Sequence, residues 1–206
     1  MESMDSFLER LASPTPAPGG GAASAAVGIV ASSLVSMVAG LTQGKKGYEE
    51  KQNIIKDVIE RSRNLSAEFR KLMVEDEEAF NTLFAAWKMP RSTEQEKTAR
   101  KRAIAEASKQ AIRTPWRIAR AAREVMGLSE SMASSGIASA VTDAGSAMEF
   151  SLAAIKAAIL NIEINLKSMQ DSDFTESERL KLRLFLEDSV AAYHRGIGEV
   201  KRRMIS

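Results

Sequence analysis

The segment "IIKDVIERSRNLSAEFRKLMVEDEEAFNTLFAAW", residues 54–87, sets the class of fold. Its apolar side chains return every three or four positions, through Ile54/Ile55, Val58/Ile59, Leu65, Phe69, Leu72/Met73, Phe80, Leu83/Phe84 and Trp87. That spacing lines one face of a long helix, which Pro90 ends. A second stripe runs from Met148 through Leu152, Ile155, Ile159, Ile162, Leu166 and Met169. Helix starts are legible at Thr93-x-x-Glu96, a capping box, and at Thr114-Pro115, an N-cap with proline at the first helical position. Thr175-x-x-Glu178 is expected to open the last helix. No segment alternates with a period of two, so the expected fold is an all-α, up-and-down multi-helix bundle, one domain over residues 1–206.

The composition narrows the chemistry. The 206 residues include no cysteine and one histidine, which excludes disulfides and thiolate metal sites and argues against a His-rich metal centre. With 29 basic and 27 acidic residues the net charge is +2, far from the one-sided excess of a dedicated nucleic-acid binder. The amino-terminal MESMDSFLER is acidic and amphipathic, without the cationic start and apolar run of a secretory signal. Cytoplasmic residence is the expectation.

From Leu11 to Gly44 there is no charged residue, a run long enough to raise the question of a membrane. Yet 12 of the 19 residues from Ala22 to Gly40 are Ala, Ser or Gly, side chains that gain little from lipid. The stretch reads instead as a central helix whose small residues admit close neighbours, a second subunit among them.

Three places invite chemistry. Pro18 is followed by Gly19, Gly20 and Gly21 at the start of that helix, where free N–H groups and a partial positive charge meet an approachable backbone. No Gly-Lys-Ser/Thr follows, so this is not a phosphate-binding P-loop. Asp76 lies on the apolar stripe, four residues from both Leu72 and Phe80, so it faces the bundle. Desolvation there raises a carboxyl pKa toward the range useful for acid–base work; the competing reading is a structural ion pair with an arginine. Glu75, Glu77 and Glu78 read as a solvated face. In "AVTDAGSA", residues 140–147, Thr142 and Asp143 are placed to cap the following helix or to touch a ligand. Asn161 and Asn165 share one face of that helix, as core amides or as binders of a heterocycle edge. Lys45 and Lys46 sit in a Gly-flanked turn open to an anion. Arg113, Arg117, Arg120 and Arg123 read first as a solvated or ion-paired face. His194 has no partner motif.

Together these segments resemble the cyclodeaminase/cyclohydrolase family of folate enzymes. The resemblance rests on "FLERLASPTPAPGGGAASA", "MVAGLTQGKKGYEE", "EDEEAFNTLFAAWKMPRSTEQEKTARKRAI", "TDAGSA" and "NIEINLKSMQDSDF", in the family's order and across nearly the whole chain. It implies an all-α bundle that pairs into a homodimer and acts on one-carbon derivatives of tetrahydrofolate. By that resemblance Gly19, Gly20 and Gly21 belong to the folate site, and Pro18, Thr142 and Asn165, singled out from the residues, are expected to bind substrate with them. Lys45 and Lys46 are implied to meet the glutamate tail, while the residues themselves, rather than the resemblance, make Asp76 and Asp143 the candidate catalytic acids. The implied reaction is hydrolysis of 5,10-methenyltetrahydrofolate to 10-formyltetrahydrofolate, with formiminotetrahydrofolate cyclodeamination the alternative. Neither a metal nor an organic cofactor is expected, and no nucleic acid or membrane partner. The chain departs from the family pattern at Val74, where members commonly carry a further acid that is the family's suspected catalytic residue, and in "SSGIASAV", where asparagine is usual. Val74 is what favours a rival of another class, a non-catalytic folate-binding or scaffolding module.

Overall fold

A computed structural model describes residues 2–169 and 171–205, and every regular element among them is helical. The order is α1 (Met4–Ala12), α2 (Gly20–Thr42), α3 (Gln52–Lys88), α4 (Glu94–Ser135), α5 (Val141–Lys167) and α6 (Ser172–Ile205). Short 3₁₀ turns, Glu49–Lys51 and Ala138–Ala140, lead into α3 and α5.

The 54–87 stripe is the inner face of α3. Ile55, Val58, Phe69, Leu72 and Leu83 are buried, and the helix stops at Lys88, with Met89 extended as a residue before proline prefers. The capping box opens α4: the Thr93 side chain accepts from the Glu96 N–H at 3.2 Å, and the Glu96 carboxylate accepts from the Thr93 N–H at 2.9 Å. The stripe from Met148 to Leu166 is likewise the buried face of α5.

α2 is the centre of the bundle. It packs on α3, α4 and α5, and its small residues allow close contact; the Phe69 ring sits where a Cβ on Gly28 would lie only 2.5 Å from it. α2 is long and apolar enough to cross a membrane by length and composition, but Ala22, Ala25, Ala31, Val35, Val38 and Ala39 are fully enclosed by neighbouring helices. It is a core helix. Its outer face, with Val30, Met37 and Leu41, stays exposed.

Three expected helix starts are displaced. Thr114-Pro115 begins nothing: α4 runs unbroken through it, with Pro115 inside the helix. Proline has no N–H for the carbonyl four residues back, that of Ala111. The Asn165 side-chain amide supplies the missing donor, 2.8 Å from the Ala111 oxygen. At the start of α6, Asp171 does the capping, accepting from the Phe174 N–H at 3.0 Å. Glu178 instead turns inward, buried, to accept from Trp116 Nε1 at 2.6 Å. Finally, α5 starts at Val141 after Ala140, with no side-chain cap; Thr142 and Asp143 lie inside its first turn.

Candidate active site

The amino-terminal end of α2 meets the middle of α3 and the carboxy-terminal end of α5. α1 ends at Ala12, and Ser13–Pro18 carries the chain across to Gly19, the N-cap of α2, with a cis Ala17–Pro18 bond. Gly19 O accepts from Ala23 N at 2.9 Å, so the N–H groups of Gly20, Gly21 and Ala22 have no intrahelical partner.

One of those donors is used by Asp76. The Ala22 N–H bonds its carboxylate, which lies so close to Gly21 that a Cβ there would be 2.2 Å from Oδ1 and 2.3 Å from Oδ2. No residue but glycine fits between the helix start and the acid. Burial raises the Asp76 pKa to about 6, the Ala22 hydrogen bond working against the rise and the Glu77 charge adding to it. Gly20 faces α5 in the same way, its would-be Cβ 3.1 Å from Asn161 Nδ2.

These groups line a cleft of about 250 Å³. Gly19, Gly20 and Gly21 form one wall, Asn161, Ile164 and Asn165 another, and Asp76, Glu77, Phe80, Leu83 and Trp87 run along the third. Asn161 and Asn165 both donate Nδ2 to a backbone carbonyl, of Ala157 and Ala111, each at 2.8 Å. Pro18 is buried beneath the turn. The site therefore combines a desolvated carboxyl near neutral pKa, the positive end of a helix, anchored amides and an apolar wall. That set can bind a flat heterocycle and move a proton at its edge.

The structure does not bring every candidate here. Lys45 and Lys46 follow the other end of α2, about 33 Å from Gly20 at ~1.5 Å per residue. Thr42 Oγ1 accepts from Ile137 N at 2.9 Å, tying that turn to the segment before α5. Asp143, in the first turn of α5, is 18 residues and about 27 Å along the helix from Asn161. Within one chain, then, Pro18, Gly19–Gly21, Asp76 and Asn165 gather at one end, and Lys45, Lys46, Thr142 and Asp143 at the other.

Glu77, expected on a solvated face, instead lines the cleft and forms an ion pair with Arg10 of α1. Glu75 is also partnered, by Arg117, which bonds Glu68 as well at 2.5 Å. The outer half of the α3 stripe was legible as apolar but not as a cleft wall, because periodicity does not tell core from pocket. Among the described residues no group of three side chains is arranged to ligate a metal.

Comparison with known proteins accords with this geometry. A methenyltetrahydrofolate cyclohydrolase of Methylorubrum extorquens is 41% identical over 180 residues, covering 87% of this chain and 86% of that protein. The formimidoyltransferase-cyclodeaminase of Rattus norvegicus is 27% identical over 98% of this chain, which spans only 37% of its length. The crystal structure of a formiminotetrahydrofolate cyclodeaminase from Thermotoga maritima superposes with a TM-score of 0.82 at 28% identity, over 98% of this chain and 95% of that one. The formiminotransferase-cyclodeaminase family model matches residues 3–183, and the chain belongs to that family.

Proposed function

We propose that this protein is a 5,10-methenyltetrahydrofolate cyclohydrolase. The observation that carries the reading is Asp76: a carboxyl raised to about 6, bonded by the α2 amino terminus and set in a cleft open to a planar substrate. The M. extorquens relative, a stand-alone protein of nearly the same length, supports the hydrolytic reaction.

The methenyl carbon bridging N5 and N10 is an amidinium-like electrophile. Asp76, ionised, stabilises that cation and takes a proton as water oxygen bonds the carbon. The same carboxyl, now protonated, delivers its proton to N5 as the carbon–N5 bond breaks. The formyl group stays on N10, and one proton leaves to solvent. One residue serves both steps because its pKa lies close to neutrality, where acid and base forms interchange readily. Asp143, proposed from the sequence as the second acid, has no path to this carbon within one chain. The substrate is already cationic and no electron changes hands, so the steps require neither metal nor organic cofactor.

The cyclodeaminase reaction passes through the same tetrahedral carbon, with N10 attacking a formimino group and ammonia leaving; the T. maritima structure favours keeping it as a second reading. Purified protein given each substrate separates the two: loss of methenyltetrahydrofolate absorbance supports hydrolysis, and ammonia release from formiminotetrahydrofolate supports deamination. The uncharged outer face of α2, with Leu160 and Ile164 exposed on α5, supports a homodimer; a monomeric mass in solution would contradict it. We place the protein in the cytoplasm; the enclosure of apolar α2 by neighbouring helices supports that reading.

A further inference from the structure

A second depression, about 720 Å³, lies between the first turns of α4 and the α5–α6 connection. Arg91, Lys97, Arg100, Lys101 and Lys109 line it against one carboxylate, Asp171. Lys97 and Lys109 are partly neutralised by Glu94 at 2.7 Å and Glu106 at 3.5 Å. Among the described residues Arg91 and Lys101 have no carboxylate within ion-pair distance. The groove also holds an unanswered polar group: Ser108, 1% exposed, has a hydroxyl with no hydrogen-bond partner among those residues. A buried hydroxyl without a partner costs free energy and marks a place where a ligand oxygen or a water completes the bonding.

The groove continues the catalytic cleft. Asp76, Phe80, Leu83 and Trp87 fall at intervals of three or four along α3, so the cleft wall runs about 16 Å from the acid to the tryptophan. Arg100, in the groove, donates to the Trp87 carbonyl at 3.0 and 3.2 Å. Ser108 lies three residues before Ala111 on α4, and Ser168, the C-cap of α5, three after Asn165 with its backbone still helical, which puts each groove residue on the same helix face as its cleft neighbour. The order along the surface is a proton-moving acid, an apolar aromatic stretch, then free cations.

Resting on the folate reading, we propose that this groove is the subsite for the carboxylate tail of the substrate, with Arg91, Lys101 and the Ser108 hydroxyl as its principal contacts. A tetrahydrofolate carries its one-carbon unit on a heterocycle, then a benzoyl spacer, then a glutamate with two carboxylates. Those three parts match the three stretches in order. The turn at Lys45–Lys46, at the far end of α2, is thereby replaced as the tail site within the chain.

The test compares methenyltetrahydrofolate with methenyltetrahydropteroate, which lacks the glutamate. Wild-type protein is expected to show at least about tenfold higher kcat/KM for the glutamate-bearing form, carried mainly by KM and weakened by salt. In the Arg91→Ala/Lys101→Ala variant this preference collapses toward unity. Ser108→Ala is the second probe: it is expected to keep or raise Tm, since it deletes an unpaired group, while raising KM for the glutamate-bearing substrate alone. No preference in the wild type, or a preference that survives in the double variant, overturns the proposal and leaves the folate reading intact. Failure of the wild type to bind or turn over either compound contradicts the folate reading, and the proposal falls with it.

Discussion

The Asp76 carboxylate occupies the space that a side chain on Gly21 would need, its two oxygens 2.2 and 2.3 Å from the position of a Cβ there. The glycine run therefore admits an acid against the first turn of a helix. The acid bonds the helix's Ala22 N–H, yet burial still holds its pKa near 6.

Gly21→Ala is accordingly expected to push Asp76 off the helix start. Activity should fall at least about a hundredfold, the scale of a lost acid–base group, while overpacking costs about 1–3 kcal/mol and leaves the helical fold. Steady-state kinetics beside a circular-dichroism melt checks this; full activity in the alanine variant would mean that Asp76 is not held as described.

Stability should depend on pH through the same residue. Its folded pKa, about 6, is above the ordinary 3.8, so the folded state holds the proton more tightly. The native state then loses stability as pH rises from about 4 to about 6, with the penalty complete above that. The difference of about 2 units corresponds to at most about 3 kcal/mol. Asp76→Asn removes the ionisation, and its Tm should match wild type near pH 4 and exceed it at pH 7.5. A pH-independent difference between the two proteins would contradict the desolvated carboxyl.

The Asn165–Ala111 bond answers the proline inside α4. Asn165→Leu leaves that buried carbonyl unpaired and should cost about 1–3 kcal/mol. Pro115→Ala restores a backbone donor, so the double variant should recover part of the loss. A thermodynamic cycle with strictly additive effects would show the two residues to be uncoupled.

Val74, where the family resemblance implies a further acid, is exposed and faces the groove between α1 and α3 beside Met4 and Phe7, two positions around the helix from Asp76. Val74→Asp is expected to change kcat by less than about threefold, since successive-but-one helix positions point apart. A large gain would put position 74 in the reaction and make Val74 a lost catalytic group.

Much of this was readable from residues alone. The stripes of α3 and α5 predicted the helices, because burial of one face imposes their period, and Asp76 stood out as an acid on an apolar stripe. The central position of α2 followed from its lack of charge. What was not readable depended on contacts distant in sequence. Pro115 looks like a helix start until Asn165, fifty residues later, is seen to complete its helix. Thr142 and Asp143 look like caps until the preceding 3₁₀ turn is seen. The separation of Lys45 and Asp143 from Asp76 follows from helix lengths and antiparallel packing, which motif spacing does not encode. The groove at Arg91 and Ser108 has no motif at all; it exists only once α4 and the α5–α6 connection are side by side.

The proposed reaction turns on Asp76 moving the proton in hydrolysis of the methenyl group. The most direct measurement is the decay of methenyltetrahydrofolate absorbance with wild-type protein and with Asp76→Asn, between pH 5 and 8. Enzyme-dependent decay is expected, with kcat/KM rising through a group of pKa about 6, and a loss of about 10²–10⁴ in the asparagine variant with binding retained. A fully active, folded Asp76→Asn protein would contradict it.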